Sequence, residues 1–95
     1  MTGHGVYSNG FSQVFCQLLE IAGVSCYKIS QFAHLDQAYL SRLKNGEKQN
    51  PSPETMVKIS LALVHYSDKI KLHDIQKLFK SVGRSLHLNN DYSSL

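Results

Sequence analysis

The sequence has little of what marks several common classes of protein. It holds two cysteines, two prolines and no tryptophan among 95 residues. Small secreted domains that depend on disulfides carry more cysteines, in closely spaced sets, so this class is disfavoured. No apolar run approaches the roughly 18 residues that a membrane span needs, and the N-terminal segment has neither the basic start nor the apolar stretch of a secretion signal. These absences predict a soluble, cytoplasmic protein with no membrane segment.

Residues that could bind a metal ion or catalyse a reaction are scattered along the chain. Cys16, Cys26 and His34 lack the short paired spacing of zinc ligands, so we expect no metal and no cofactor. Two combinations have the composition of an acid–base pair: His73 with Asp74, and His65 with Asp68. Neither comes with a nucleophile or a glycine-rich phosphate loop, and surface polarity explains them better. The sequence predicts that the protein is not an enzyme.

Charge is modest in amount and uneven in distribution. The formal net charge is +3 and the isoelectric point is near 9.0, which is compatible with a nucleic-acid partner without requiring one. Basic residues gather in two parts of the chain: Lys28, Arg42, Lys44 and Lys48 in the first, and Lys69, Lys71, Lys77, Lys80 and Arg84 in the second. A basic set of this kind is more often a solvated face than a binding site.

Apolar residues recur at helical spacing in five segments, which predicts an all-α fold of five short helices. We expect helix one to start at Ser8 or Asn9 and to end near residue 22. The others are expected at 26–33, 37–45, from Pro53 onward, and at about 72–82. The chain then divides into a flexible lead at 1–8, one domain at 9–84 and a tail at 85–95.

Helix four is predicted to be the central and most buried element. Its apolar residues leave little polar surface: Met56, Val57, Ile59, Leu61, Ala62, Leu63 and Val64. In helix two, we expect Ile29, Phe32 and Ala33 to face the core.

Helix three has an outer face suited to the major groove of DNA. Leu40 and Leu43 must point inward, and this fixes the residues that point outward at 100° per residue. The outer set is small and polar with one guanidinium: Gln37, Ala38, Ser41, Arg42 and Asn45, with Tyr39 and Lys44 at the sides. Arginine can bond guanine, glutamine can bond adenine, and an alanine methyl can contact thymine. An exposed amphipathic helix without a ligand would have the same pattern.

The start of helix two is suited to a phosphate. The N–H groups and the positive end of the dipole favour an anion there. Tyr27 and Lys28 can add donors.

The sequence resembles the helix-turn-helix of the Xre/Cro family, the lambda-repressor-like domains, over about residues 11–83. The similarity lies in Gly23-Val24-Ser25, Ile29, Ala33, Leu35-Asp36, Tyr39-Leu40-Ser41-Arg42-Leu43-Lys44-Asn45-Gly46 and Pro51-Ser52-Pro53-Glu54-Thr55. The resemblance implies base reading by Gln37, Ala38, Tyr39 and Arg42, and phosphate contacts near Cys26 and around Lys44 to Lys48. Three departures are Cys26, where the family usually has glutamine, Ser30, a mild change at the small-residue position inside helix two, and His34, where the family usually has glycine. The loop before Pro51 is also slightly long.

The expected function is sequence-specific binding of double-stranded DNA by a repressor-like transcriptional regulator. The expected dimer contact is helix five at 72–82 or the tail, through Leu86 and Leu88. Two alternatives stay open: a protein-interaction module on the same fold, and an antitoxin-type domain that binds a protein partner.

Overall fold

The computed structural model describes residues 10–83 of the chain. This range contains five helices and no strand: α1 (Phe11–Ala22), α2 (Cys26–Ala33), α3 (Gln37–Asn45), α4 (Pro53–Tyr66) and α5 (Leu72–Lys80). The predicted all-α class is therefore confirmed. The predicted lead, the predicted caps Ser8 and Asn9, and the tail fall outside the described residues. Between residues 10 and 83, no helix has both the length and the apolar character needed to cross a membrane.

Side-chain caps start three of the helices where the sequence predicts. Ser25 accepts a hydrogen bond from the Lys28 N–H at 3.3 Å, and Asp36 accepts one from the Tyr39 N–H at 3.2 Å. Ser52 accepts one from the N–H of Thr55 at 3.2 Å. These bonds satisfy N–H groups that have no partner inside the helix. The bounds of α2 and α3 agree with the prediction at both ends.

Two helix ends differ from the prediction. Helix α1 begins at Phe11, and Gly10 is its N-cap without any side-chain bond, so helix one starts later than Ser8 or Asn9 would place it. Helix α5 ends at Lys80 rather than near residue 82, and a turn that includes Gly83 at φ 75° follows it. Apolar spacing continues through Val82, but that spacing does not require the backbone to stay helical.

His34 ends α2 in the left-handed region, with φ 57° and ψ 45°. Its N–H donates to the carbonyl of Ser30, which satisfies one of the free carbonyls at the helix end. Glycine adopts this backbone region without steric cost, whereas a side chain is strained there. The turn between α2 and α3 therefore holds a residue that tolerates a conformation usually left to glycine.

Replacing His34 by glycine is expected to stabilise the fold by about 0.5–1 kcal/mol, because the gain from relieved strain exceeds the entropy that glycine adds to the unfolded chain. Urea denaturation would measure the change. Gln17→Gly, in the exposed middle of α1, is the control and should destabilise by about 1 kcal/mol. A loss of stability in His34→Gly as large as in the control would contradict this account of the turn.

Helix α1 is at the centre of the fold, because it packs against α3, α4 and α5. All five helices contribute fully buried side chains to the core: Phe15, Leu18, Ile29, Leu40, Leu43, Met56, Ile59, Leu63 and Leu78. Helix α4 meets α1 and α2 on one side only. Six residues of α4 are buried, but Val57, Leu61 and Val64 remain exposed, so part of the predicted apolar surface of helix four is not covered.

Phe32 also lies differently from its predicted place on the inner face of helix two. Its side chain is 38% exposed and stacks on the ring of His65, with 4.2 Å between the ring centroids. The aromatic ring packs across the surface between α2 and α4, while Ile29 and Ala33 are buried as predicted.

Candidate nucleic-acid interface

The orientation of α3 follows from two buried leucines. Leu40 and Leu43 are both 0% exposed, and α3 packs against α1 and α2. The opposite side of α3 therefore faces solvent, as the spacing predicts. Asp36 and Gly46 fix the two ends, since Asp36 caps the first turn and Gly46 closes the last with φ 86°.

Most of the predicted reading side chains share one exposed surface. Gln37, Ala38, Arg42 and Asn45 are exposed on the outer side of α3, and Lys44 is exposed at its edge. We call these five residues the α3 surface. Ser41 and Tyr39 are half-buried, and Tyr39 packs against the core. Of the residues that the family resemblance assigns to base reading, Tyr39 is thus the least available.

Side chains of α1 and α2 fix the backbone of α3 in place. The Ser12 hydroxyl and the Cys16 thiol both donate to the carbonyl oxygen of Lys44, the second at 3.6 Å. The Cys26 thiol lies 4.0 Å from the carbonyl oxygen of Leu40, one turn earlier. These contacts hold the C-terminal half of α3 at two successive turns, so the α3 surface is presented on a rigid support.

Sequence reasoning missed Ser12 and Cys16 as supports of α3. Both are on α1, which is separated from α3 in the sequence by the whole of α2. Only the packing of α1 on α3 brings them to Lys44, 32 and 28 residues away. No local signal in the sequence could have identified this pairing.

The start of α2 presents Tyr27 and Lys28 at the surface, while Cys26 is buried. The Lys28 carbonyl accepts a hydrogen bond from the Tyr66 hydroxyl at 3.3 Å, and the Tyr27 hydroxyl accepts one from Gln31 at 2.9 Å. The thiol of Cys26 points toward α3, at 4.0 Å from the carbonyl oxygen of Leu40. Because the Cys26 side chain is buried, its backbone N–H is the group that a phosphate at the start of α2 would contact.

A groove of about 600 Å³ separates the start of α2 from the last turn of α3. Lys44 lines one wall, Ser25 and Gly23 line another, and both cysteines lie within it. Glu20 lines the same groove, so the groove holds one acidic and one basic side chain. The groove brings together two predicted phosphate-binding features, the α2 start and Lys44, in one place.

The chain after α3 folds back on the helix end. The N–H groups of Glu47 and Lys48 both donate to the Arg42 carbonyl, at 2.9 and 3.1 Å. Lys48 is exposed beyond this turn. The segment from Cys26 to Lys48 carries four cationic side chains and two carboxylates, so the surface around α2 and α3 is net positive.

The two thiols differ in their surroundings. Burial raises the pKa of the Cys26 thiol, the nearby Lys44 ammonium opposes this effect, and Cys16 adds to it. Since the thiolate is the reactive form, a higher pKa and burial both slow the reaction of Cys26 with alkylating reagents.

Iodoacetamide at neutral pH is expected to modify Cys16 first in the folded protein. Peptide mass mapping over a time course would measure the two rates. In denaturant the difference should disappear, which serves as the control. Faster modification of Cys26 than of Cys16 in the folded protein would contradict the burial of Cys26.

Comparison with known proteins gives no relative. No family model, no curated protein sequence and no solved structure matches this chain.

Proposed function

We propose that the protein binds double-stranded DNA sequence-specifically and acts as a repressor-like transcriptional regulator, with α3 in the major groove. The observation that carries this proposal is the α3 surface, which is polar, exposed and held from behind by Leu40 and Leu43. In a helix-turn-helix, the second helix enters the groove with its N-terminal residues nearest the bases. Helices α2 and α3 follow each other in this order, with eight and nine residues, and the turn at 34–36 joins them.

Base reading is assigned to the first two turns of α3. Arg42 can donate two bonds to the O6 and N7 of guanine, and Gln37 can pair with the N6 and N7 edge of adenine. The Ala38 methyl leaves room for close approach and can contact a thymine methyl. Ser41 and Asn45 lie on the same side and complete the reading set, while Tyr39 contributes less because it is half-buried.

Phosphate contacts are assigned to the exposed start of α2 and to the end of α3 with the turn that follows it. The start of α2 is assigned to the backbone of one DNA strand, through Tyr27, Lys28 and the free N–H groups. Lys44 and Lys48 extend the positive surface beyond α3. Such contacts set orientation and affinity but do not read sequence. They also make affinity fall as salt rises, because bound cations are released from the DNA.

Lys44→Ala is expected to weaken binding to all duplexes by a similar factor and to lower the slope of log affinity against log salt by about 1. Fluorescence anisotropy at several salt concentrations would measure both. Lys77→Ala also removes an exposed charge, but from α5 rather than from α3, and should leave the slope unchanged. A change of sequence preference in Lys44→Ala would assign Lys44 to base reading instead.

A protein-interaction module, of which an antitoxin-type domain is one form, is the second candidate. The carboxylate of Glu20 in the groove that Lys44 lines and the buried thiol of Cys26 favour it, because both reduce the phosphate-binding capacity of the groove. Binding through such a module would not weaken steeply with salt, and this distinguishes it from DNA binding.

Selection of bound duplexes from a random double-stranded DNA pool tests the proposed function. An inverted repeat with half-sites about ten base pairs apart, centre to centre, would support a regulator that binds as a dimer. A single short site would support binding by one copy. No enrichment by folded protein would overturn DNA binding and favour the protein-interaction module.

Dimerisation through helix five or the tail remains part of this proposal. In α5, Ile75, Leu78 and Phe79 are buried against the core, and Leu72 is the large apolar side chain left exposed. The tail residues Leu86 and Leu88 lie outside the described residues. Helix five therefore offers little apolar surface to a second copy.

A further inference from the structure

The two cysteines of the chain lie in one groove against α3. Cys16 on α1 and Cys26 at the start of α2 are free thiols, and both line the groove of about 600 Å³ between α2 and α3. The Cys16 sulfur lies 3.6 Å from the carbonyl oxygen of Lys44, and the Cys26 sulfur lies 4.0 Å from that of Leu40. These carbonyls are four residues apart on one helix, and therefore about 6 Å apart along its axis. Folding thus brings both sulfurs to the same short stretch of α3, and we call these two residues the thiol pair.

The electrostatics of the groove couple the two thiols to each other and to Lys44. Burial raises the pKa of the Cys26 thiol, the Lys44 ammonium lowers it, and Cys16 raises it further. Two thiolates side by side are therefore unfavourable unless a cation lies between them. A monovalent cation would leave one negative charge on the pair, and the Lys44 ammonium in the wall of the groove would offset this charge.

The number and type of the donors select the kind of cation. Thiolates are soft ligands that favour Cu(I), zinc and iron–sulfur clusters. Structural zinc sites and iron–sulfur clusters are held by four ligands, and among residues 10–83 no group of three or more histidine, cysteine or acidic side chains could hold a metal ion. Cu(I) has a filled d shell and is satisfied by two thiolates in a nearly linear arrangement. The Glu20 carboxylate in the same groove is a hard donor, which a soft ion does not favour.

We propose that Cys16 and Cys26 bind one Cu(I) ion between their sulfurs, as a two-coordinate site within a single chain. Binding forms two copper–sulfur bonds, releases the two thiol protons to solvent and leaves the oxidation state of copper and sulfur unchanged. The resulting thiolates have no proton to donate, so binding removes both sulfur hydrogen bonds to the α3 carbonyls. The Ser12 hydroxyl still donates to the Lys44 carbonyl. The site depends on the packing of α1 and α2 against α3 and does not rest on the proposed DNA binding.

Anaerobic titration of the reduced full chain with Cu(I), in competition with the chromogenic chelator bicinchoninate, tests the site. The parent is expected to take one Cu(I) per chain from the chelator, and X-ray absorption should show two sulfur neighbours of the copper. Cys16→Ser and Cys26→Ser should each bind Cu(I) at least about 100-fold more weakly, because losing a direct ligand costs more than the roughly 10–100-fold loss caused by removing an outer partner. Ser12→Ala is the matched control, since it removes a donor to the same Lys44 carbonyl but no sulfur, and it should bind like the parent.

Three results would overturn the site. The first is an affinity for Cu(I) in either serine variant equal to that of the parent. The second is one ion shared by two chains in native mass spectrometry, because the sulfurs would then come from different molecules. The third is equal affinity for the parent in urea, which keeps both thiols but not their arrangement. Circular dichroism melts establish that the variants are folded, and Cys26→Ala replaces Cys26→Ser if that variant is not. No DNA is present, so a failure to bind DNA would leave these results unchanged.

Discussion

Leu40→Ala is expected to lower the free energy of unfolding by about 2–5 kcal/mol. Leu40 is 0% exposed and belongs to the core shared by α1, α2 and α3. Removing its side chain loses apolar burial and leaves a cavity that the surrounding helices can fill only in part. In a chain of this size, such a loss is a large fraction of total stability. Urea denaturation followed by circular dichroism measures it.

Leu72→Ala is the control for this experiment. Leu72 is the same residue type but is 54% exposed at the first position of α5, so its truncation should change stability by no more than about 0.5 kcal/mol. If Leu40→Ala unfolds at the same urea concentration as the parent, Leu40 is not in the core and the assigned orientation of α3 is wrong. A different side of α3 would then face solvent, and the residues assigned to base reading would change.

Arg42→Ala is expected to cost about 1–3 kcal/mol of binding free energy on the preferred DNA site, which is roughly a 5- to 150-fold loss of affinity. The Arg42 side chain is exposed, while its carbonyl accepts the N–H groups of Glu47 and Lys48. The substitution removes the guanidinium and leaves these backbone bonds intact. Fold stability should therefore stay close to that of the parent, and the change in binding can be attributed to the side chain.

Specificity separates base reading by Arg42 from a general charge effect. Binding to random DNA should fall much less than binding to the preferred site, because the bidentate contact exists only with the correct base. Arg42→Lys retains the charge but lacks the planar pair of donors, so it should restore affinity for random DNA more than it restores preference. Equal losses on preferred and random DNA in Arg42→Ala would show that Arg42 contacts phosphate.

The two experiments test different properties of one helix. Leu40 and Arg42 are two residues apart on α3 and point to opposite sides. The first substitution should change stability, and the second should change recognition. A helix that carries its packing and its reading functions on opposite sides predicts this separation, whereas a merely solvated helix predicts no effect from Arg42→Ala on any DNA.

Local chemistry explains why the α2–turn–α3 segment could be predicted from sequence. Ser25 and Asp36 are capping residues that bond to N–H groups three residues ahead, and these bonds form in the structure. Gly46 ends α3 in the left-handed region, and the spacing of Leu40 and Leu43 defines the buried side. Caps, stops and periodicity all act within a few residues, so no knowledge of the rest of the fold is required.

The burial of the α4 side chains shows where sequence reasoning fails. Val57, Leu61 and Val64 have the same apolar character as Ile59 and Leu63, but only the latter two are buried. The apolar character of a side chain makes its burial favourable, but burial also requires that another helix packs against that side. Helix α4 packs against α1 and α2 through Ile59 and Leu63 but not through Val57, Leu61 and Val64, and nothing in its own residues encodes this.

The sequence by itself determined the five helices, the ends of α2 and α3 and the outward face of α3, because these depend on capping, glycine and helical period. The tertiary structure alone decided that α1 is the central helix, that Ser12 and Cys16 support Lys44 and that the Cys26 thiol is buried. It also left one side of α4 uncovered. Each of these results depends on contacts between segments far apart in the chain, which no local pattern specifies.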